Sequence, residues 1–209
     1  MLVEFISISS ILFPLLAGFS SRYFNDKRLD YFLGFIIFSF VFEIISTSLL
    51  MNGINNHGMF KLFVICDFLF FIWFFSKQTT YSIWIRHLSM VVLLLIGFES
   101  FNSLLWHKAM YAEGIFFIII FLFFIIQSMQ VLLSLINEHN LLQNPVFWIA
   151  TARLFYYLIV FSVFVYLYLE VNSFNDSLFA MAFVIINASG NILCNIMFGM
   201  SFLCRKNRN

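Results

Sequence analysis

An all-α bundle of seven membrane-crossing helices is the fold class this sequence predicts. Three observations carry the prediction. The 209 residues are 63% hydrophobic and only 10% charged, too few charges to cover a water-facing surface. The apolar residues gather into seven runs, each close to the roughly 20 residues that a bilayer-crossing helix needs. Short polar connections separate the runs, and their basic residues fall mostly on alternate connections.

The first run is Leu2 to Phe19. It opens Met1-Leu2-Val3-Glu4, with an acid where a secretory signal carries Lys or Arg, and no small-x-small cleavage site follows. A retained first helix is therefore expected. Ser20-Ser21-Arg22 closes it, and the second run covers Leu29 to Met51. Asn52-Gly53-Ile54-Asn55-Asn56 then supplies a turn before the third run, Met59 to Phe75. The fourth run is His87 to Trp106 and the fifth Gly114 to Ile136, closed by Asn137-Glu138-His139-Asn140. Pro145 stands before the sixth, Val146 to Leu169. Asn172-Ser173-Phe174-Asn175-Asp176 leads into the seventh, Leu178 to Leu203. Connections this short make neighbouring spans antiparallel. Unbroken helices are expected throughout, because hydrocarbon offers backbone groups no partner. The expectation is one transmembrane domain over residues 1–209, without a separate soluble domain.

The basic residues set an orientation. One side of the bundle carries Arg22, Lys27, Arg28, Lys77, Arg86, Arg205, Lys206 and Arg208, and the other only Lys61 and Lys108. The positive-inside rule then puts the N-terminus outside and the C-terminus in the cytoplasm. In a bacterium this would be a multi-pass protein of the inner membrane. Net charge is +1 with no basic run, so nucleic acid is not an expected partner. Cys66, Cys194 and Cys204 lie within or at the end of apolar runs, so no disulfide framework is expected.

Ionisable residues inside hydrocarbon are costly, and they normally face a bundle interior. Helical spacing groups Ser39, Glu43, Ser46 and Thr47 on the second span, and Glu99, Asn102, Ser103 and Trp106 on the fourth. Gln127, Gln130 and Ser134 share the fifth, and Arg153, Tyr156 and Tyr157 the sixth. Asn187, Asn191 and Asn195 recur at i, i+4 on the seventh. Interhelical hydrogen bonding is the weightier reading of that ladder. Asp67 stands almost alone among phenylalanines on the third span. Depth along the helices brings Asp67 towards Arg153, and a guanidinium stays charged and can grip a carboxylate twice. A buried Asp67–Arg153 ion pair is the expectation, as a structural clasp rather than a catalytic couple. Glu43 and Glu99 are left without a cation. At least one is expected to keep its proton at neutral pH, or to bind a cation or a basic ligand group.

Spans 2–3 and 4–5 echo each other weakly. Phe42-Glu43 aligns with Phe98-Glu99, and Gly58 with Gly114. Hairpin duplication and chance in a chain rich in Phe and Leu explain this equally. The histidines carry less. His57, His107 and Glu113 have no ligand spacing, so no metal site is expected. A retinal protein needs a Lys in its last span, and none stands before Lys206. No other cofactor motif is present. PQ-loop and SWEET-like carriers share the span count, but no Pro-Gln pair occurs here. Rhomboid-like proteolysis needs a deep His, and none is deep enough.

Pro14-Leu15-Leu16-Ala17-Gly18-Phe19 before a basic loop, Pro145-Val146-Phe147-Trp148, and Leu154-Phe155-Tyr156-Tyr157 form a pattern. It resembles a group of small, uncharacterised bacterial seven-transmembrane proteins. The resemblance implies a sensory or accessory role beside sensor kinases and transfers no catalytic residue. Lysoplasmalogenase-like lipid enzymes are a more distant comparison with no matched motif.

Three functions follow as expectations. The first is a receptor-like sensor or accessory signalling subunit whose polar intramembrane pocket uses Glu43, Glu99, Asn102, Trp106, Asn187 and Asn191. Its short loops hold no output domain, so it would need a membrane signalling partner; self-association is also open. The second is a proton- or cation-coupled carrier, against which the scarcity of helix breaks counts. The third is an intramembrane lipid-modifying enzyme using two acids of split pKa.

Overall fold

The computed structural model describes residues 2–21, 27–54, 56–76, 89–92, 94, 110–138, 140–169 and 177–204. These residues are helical or in short turns, with no strand among them. The helices are α1 (Leu2–Ser10), α2 (Leu12–Ser21), α3 (Lys27–Met51), α4 (His57–Ser76), α5 (Met110–Leu135), α6 (Pro145–Leu169) and α7 (Ser177–Leu203). Among the described residues four stretches are long and apolar enough to cross a membrane: Lys27–Met51, Phe117–Leu135, Pro145–Val163 and Val184–Leu203. Of the expected fourth span only residues 89–92 and 94 are described, and these are helical.

The expected unbroken first helix is corrected. It divides at Ile11 into α1 and α2. Pro14 is the cause. It has no N–H to donate to the Ser10 carbonyl four residues back, and its ring crowds that carbonyl. The chain tightens there, with Ile11 N–H donating to Ile8 O at 3.2 Å, then resumes with Leu15 N–H donating to Ile11 O at 3.3 Å. The break is a kink in one continuing helical path rather than an unwound segment.

Other ends follow local chemistry. Ile54 N–H donates to Leu49 O at 2.9 Å and Gly53 N–H to Leu50 O at 3.0 Å, closing α3. Gly53 takes φ 70°, the left-handed conformation this closure needs. Asn144 Oδ1 accepts the Val146 N–H at 2.9 Å and caps α6, whose first residue is Pro145. The preceding 3-10 turn, Leu141–Gln143, is closed by Gln143 N–H donating to Asn140 O at 2.9 Å and Asn144 N–H to Leu141 O at 3.0 Å. Leu142 O accepts from Trp148 Nε1 at 2.8 Å and from Cys204 Sγ at 3.3 Å.

Ring contacts fix the helix directions. Tyr31 meets Trp73 at 5.2 Å, Phe35 stacks on Phe70 at 4.2 Å, and Phe42 meets Phe63 at 5.2 Å, so α3 and α4 are antiparallel. Phe124 stacks on Tyr157 at 4.3 Å between α5 and α6. The α1–α2 path behaves differently. Ser7 pairs with Asn191, Ser10 with Asn195, and Phe13 lies over Gly199, so it runs parallel to α7. Close approach is enforced at Gly18, where a Cβ would lie 2.5 Å from Leu33 Cδ1.

The buried interior forms two phenylalanine-rich clusters. One draws Phe32 and Phe35 from α3, Phe71 and Phe75 from α4, and Phe198 and Phe202 from α7. The other gathers Phe68 of α4, Phe117, Phe121 and Phe124 of α5, and Tyr157 of α6. Tyr156 packs against both.

Candidate functional site

The polar centre of the molecule lies on this seam. Arg153 projects from α6 and Asp67 from α4, each only 3% exposed in a setting where a lone charge would be prohibitive. Arg153 Nη1 donates to Asp67 Oδ1 at 2.8 Å and Nη2 to Oδ2 at 3.0 Å. Both carboxylate oxygens are thereby gripped, the strongest common form of this pairing. The Tyr157 hydroxyl, one turn along α6 from Arg153, donates to Asp67 Oδ2 as well.

An aromatic box encloses the guanidinium. Its central carbon lies 3.5 Å from the Phe71 ring centroid, 4.3 Å from that of Phe124 and 4.6 Å from that of Tyr157. Ring faces carry partial negative charge and so replace part of the lost hydration. Phe71 comes from one cluster and Phe124 and Tyr157 from the other, so Arg153 is where the two halves of the interior meet. Cys194 of α7 is buried within electrostatic reach of both charges. The arrangement ties α4, α5 and α6 together and engages both oxygens of the carboxylate.

Glu43 has a different environment. It is half-buried on α3, and among the described residues it has no hydrogen-bond or ion partner. It lies within electrostatic reach of Tyr156, which also senses Asp67 and Arg153. Two of its stripe neighbours are occupied. Ser39 donates to Phe35 O at 3.0 Å, and Ser46 Oγ accepts from Asn56 Nδ2 at 2.9 Å. Glu99, Asn102 and Trp106 lie outside the described residues, so the Glu43–Glu99 relation does too.

The asparagine ladder divides. Asn191 Nδ2 donates to Ser7 Oγ at 2.9 Å, and Asn195 Nδ2 to Ser10 Oγ at 2.7 Å. Asn187 is half-buried and has no hydrogen bond among the described residues. Sequence reasoning missed Ser7 and Ser10 as partners. The signal was available: their i, i+3 spacing matches the i, i+4 spacing of Asn191 and Asn195 on a parallel neighbour. Among the described residues no cluster of His, Cys, Asp and Glu could hold a metal ion. Comparison with known family models, curated proteins and solved structures finds no match for this chain.

Proposed function

We propose that this chain is a small receptor-like sensor or accessory signalling subunit of a bacterial inner membrane. In this reading it has seven spans, an outside N-terminus and a cytoplasmic C-terminus. The carrying observation is the contrast between Glu43, which has no partner among the described residues, and Asp67, whose carboxylate is held by Arg153 and Tyr157. A carboxyl at membrane depth is costly unless it has a use. Glu43 is the proton-, cation- or ligand-responsive group, and the centre beside it is the rigid frame that the response works against. The parallel course of α1–α2 and α7 supports an odd number of spans, as does the basic-residue bias. Tight aromatic packing around Arg153 favours a frame over a transport path. A membrane signalling partner, or a second copy, would read the change.

A second reading is a proton- or cation-coupled carrier. Glu43, a carboxyl at depth with no partner among the described residues, favours it, while the continuing helical path through Ile11 counts against it. One experiment separates the two. The purified protein is reconstituted in vesicles, and infrared difference spectra are recorded on a pH jump, with Glu43→Gln as control. A sensor shows a carboxyl band that Glu43→Gln removes, with no proton or cation flux. Flux abolished by Glu43→Gln makes the protein a carrier. Absence of any Glu43 carboxyl band sinks both readings.

A further inference from the structure

The ion pair leaves two polar atoms over. Arg153 Nε and Ser128 Oγ are buried and have no hydrogen-bond partner among the described residues. Ser128 is 0% exposed and Arg153 3%. Arg153 engages Asp67 through its two terminal nitrogens, so Nε–H lies on a different edge of the guanidinium fork.

Register brings the two atoms to one level. α5 and α6 are antiparallel, with Phe124 stacked on Tyr157 at 4.3 Å. One turn onward along α5 is Ser128, and one turn back along α6 is Arg153. The following layers keep the same register. Val131 and Leu135 of α5 lie in one buried cluster with Val146 and Ala150 of α6, as that register requires. Phe121, Phe124, Ser128, Val131 and Leu135 form a single stripe at i, i+3, i+4 spacing, the stripe that packs on α6.

The serine's own behaviour is the second observation. Ser39 and Ser162 donate to the carbonyl four residues back, and Ser134 and Ser201 to the carbonyl three back. This local bond is open to any helical serine. Ser128 forgoes it while fully buried. A hydroxyl that declines its own helix is directed at something else.

We propose that one internal water molecule bridges Arg153 Nε–H and Ser128 Oγ, between α5 and α6 at the level of the ion pair. Water can accept from Nε–H while exchanging a hydrogen bond with the hydroxyl, which is what these two groups lack. Buried polar groups are commonly satisfied in this way. A halide would suit the donors, but Asp67 already balances Arg153, and a second anion would leave net charge in an aromatic box. The water joins α5 to the centre through a polar link, so the ion pair is hydrated on its Ser128 side and dry against Phe71.

The test uses the full chain in nanodiscs with 15N-labelled arginine. The Arg153 Nε–H resonance is recognised by its protection from bulk exchange. It should show a cross-relaxation peak at the water frequency with the sign of a long-lived bound water. Ser128→Thr, which keeps the hydroxyl, should retain the peak. Ser128→Val should remove it or shift the resonance. A protected Nε–H without a water peak in the unsubstituted protein overturns the proposal, whether or not Ser128→Val folds. So does a high-resolution structure showing Ser128 Oγ bonded to Phe124 O, or halide density at the site.

Discussion

Two polar joints between helices, among the described residues, are built from opposite materials. One joins α4 to α6 through full charges, Asp67 and Arg153, boxed by rings. The other joins α1 to α7 through neutral side chains, Ser7 with Asn191 and Ser10 with Asn195. A charged joint in low dielectric is strong only while complete, because removing one partner strands the other. A neutral joint in a membrane contributes little at each bond, because unpaired serines can turn back to their own helix. The first joint is therefore all-or-none and the second is graded.

The largest expected effect tests the all-or-none joint. Arg153→Met leaves Asp67 as a buried uncompensated charge and should cost about 3–5 kcal/mol of folding stability, measured by steric trapping in bicelles. Asp67→Leu combined with Arg153→Met should recover most of that loss, since no charge is then stranded. A double variant as unstable as the single one would break the comparison. Tyr157→Phe removes one hydrogen bond to a carboxylate that keeps its guanidinium. The loss should be about 1.5–3 kcal/mol by the same measurement. At the α2–α7 contact, Gly199→Val drives a side chain into the Phe13 ring and should cost about 1–3 kcal/mol through overpacking. Asn195→Ala should cost only about 0.6 kcal/mol, and a double-mutant cycle with Ser10→Ala should return a coupling of that size. Asn187→Ala sharpens the contrast at the low end. It removes no described hydrogen bond and should change stability by less than about 0.5 kcal/mol.

The charged joint was legible in the sequence because charges in hydrocarbon have few solutions. Asp67 and Arg153 were each anomalous in an apolar run, and depth brought them to one level. The aromatic box was not legible. With 32 phenylalanines in the chain, nothing in the sequence distinguishes Phe71 and Phe124 from the rest. The neutral joint was half legible. The asparagine periodicity stood out, whereas Ser7 and Ser10 were hidden because short hydroxyls barely perturb an apolar run. The kink at Ile11 was missed for a different reason. Pro14 is one of only two prolines in the chain, but its effect falls on Ser10, four residues earlier, where the sequence shows no turn residue. The all-helical architecture followed from composition alone, since lipid admits few other solutions for such a chain.

The parallel packing of α1–α2 on α7 has a consequence for how the molecule is made. Chains grow from the N-terminus, so α1 leaves the ribosome long before its partner α7. Throughout synthesis Ser7 and Ser10 stand in the membrane without Asn191 and Asn195. The bond that Ser10 makes to the Ser7 carbonyl at 2.6 Å shows how a waiting helix can shelter its own hydroxyl. The joint between α1 and α7 therefore forms only once α7 has been made, and a ribosome that stalls before α7 leaves Ser7 and Ser10 without these partners.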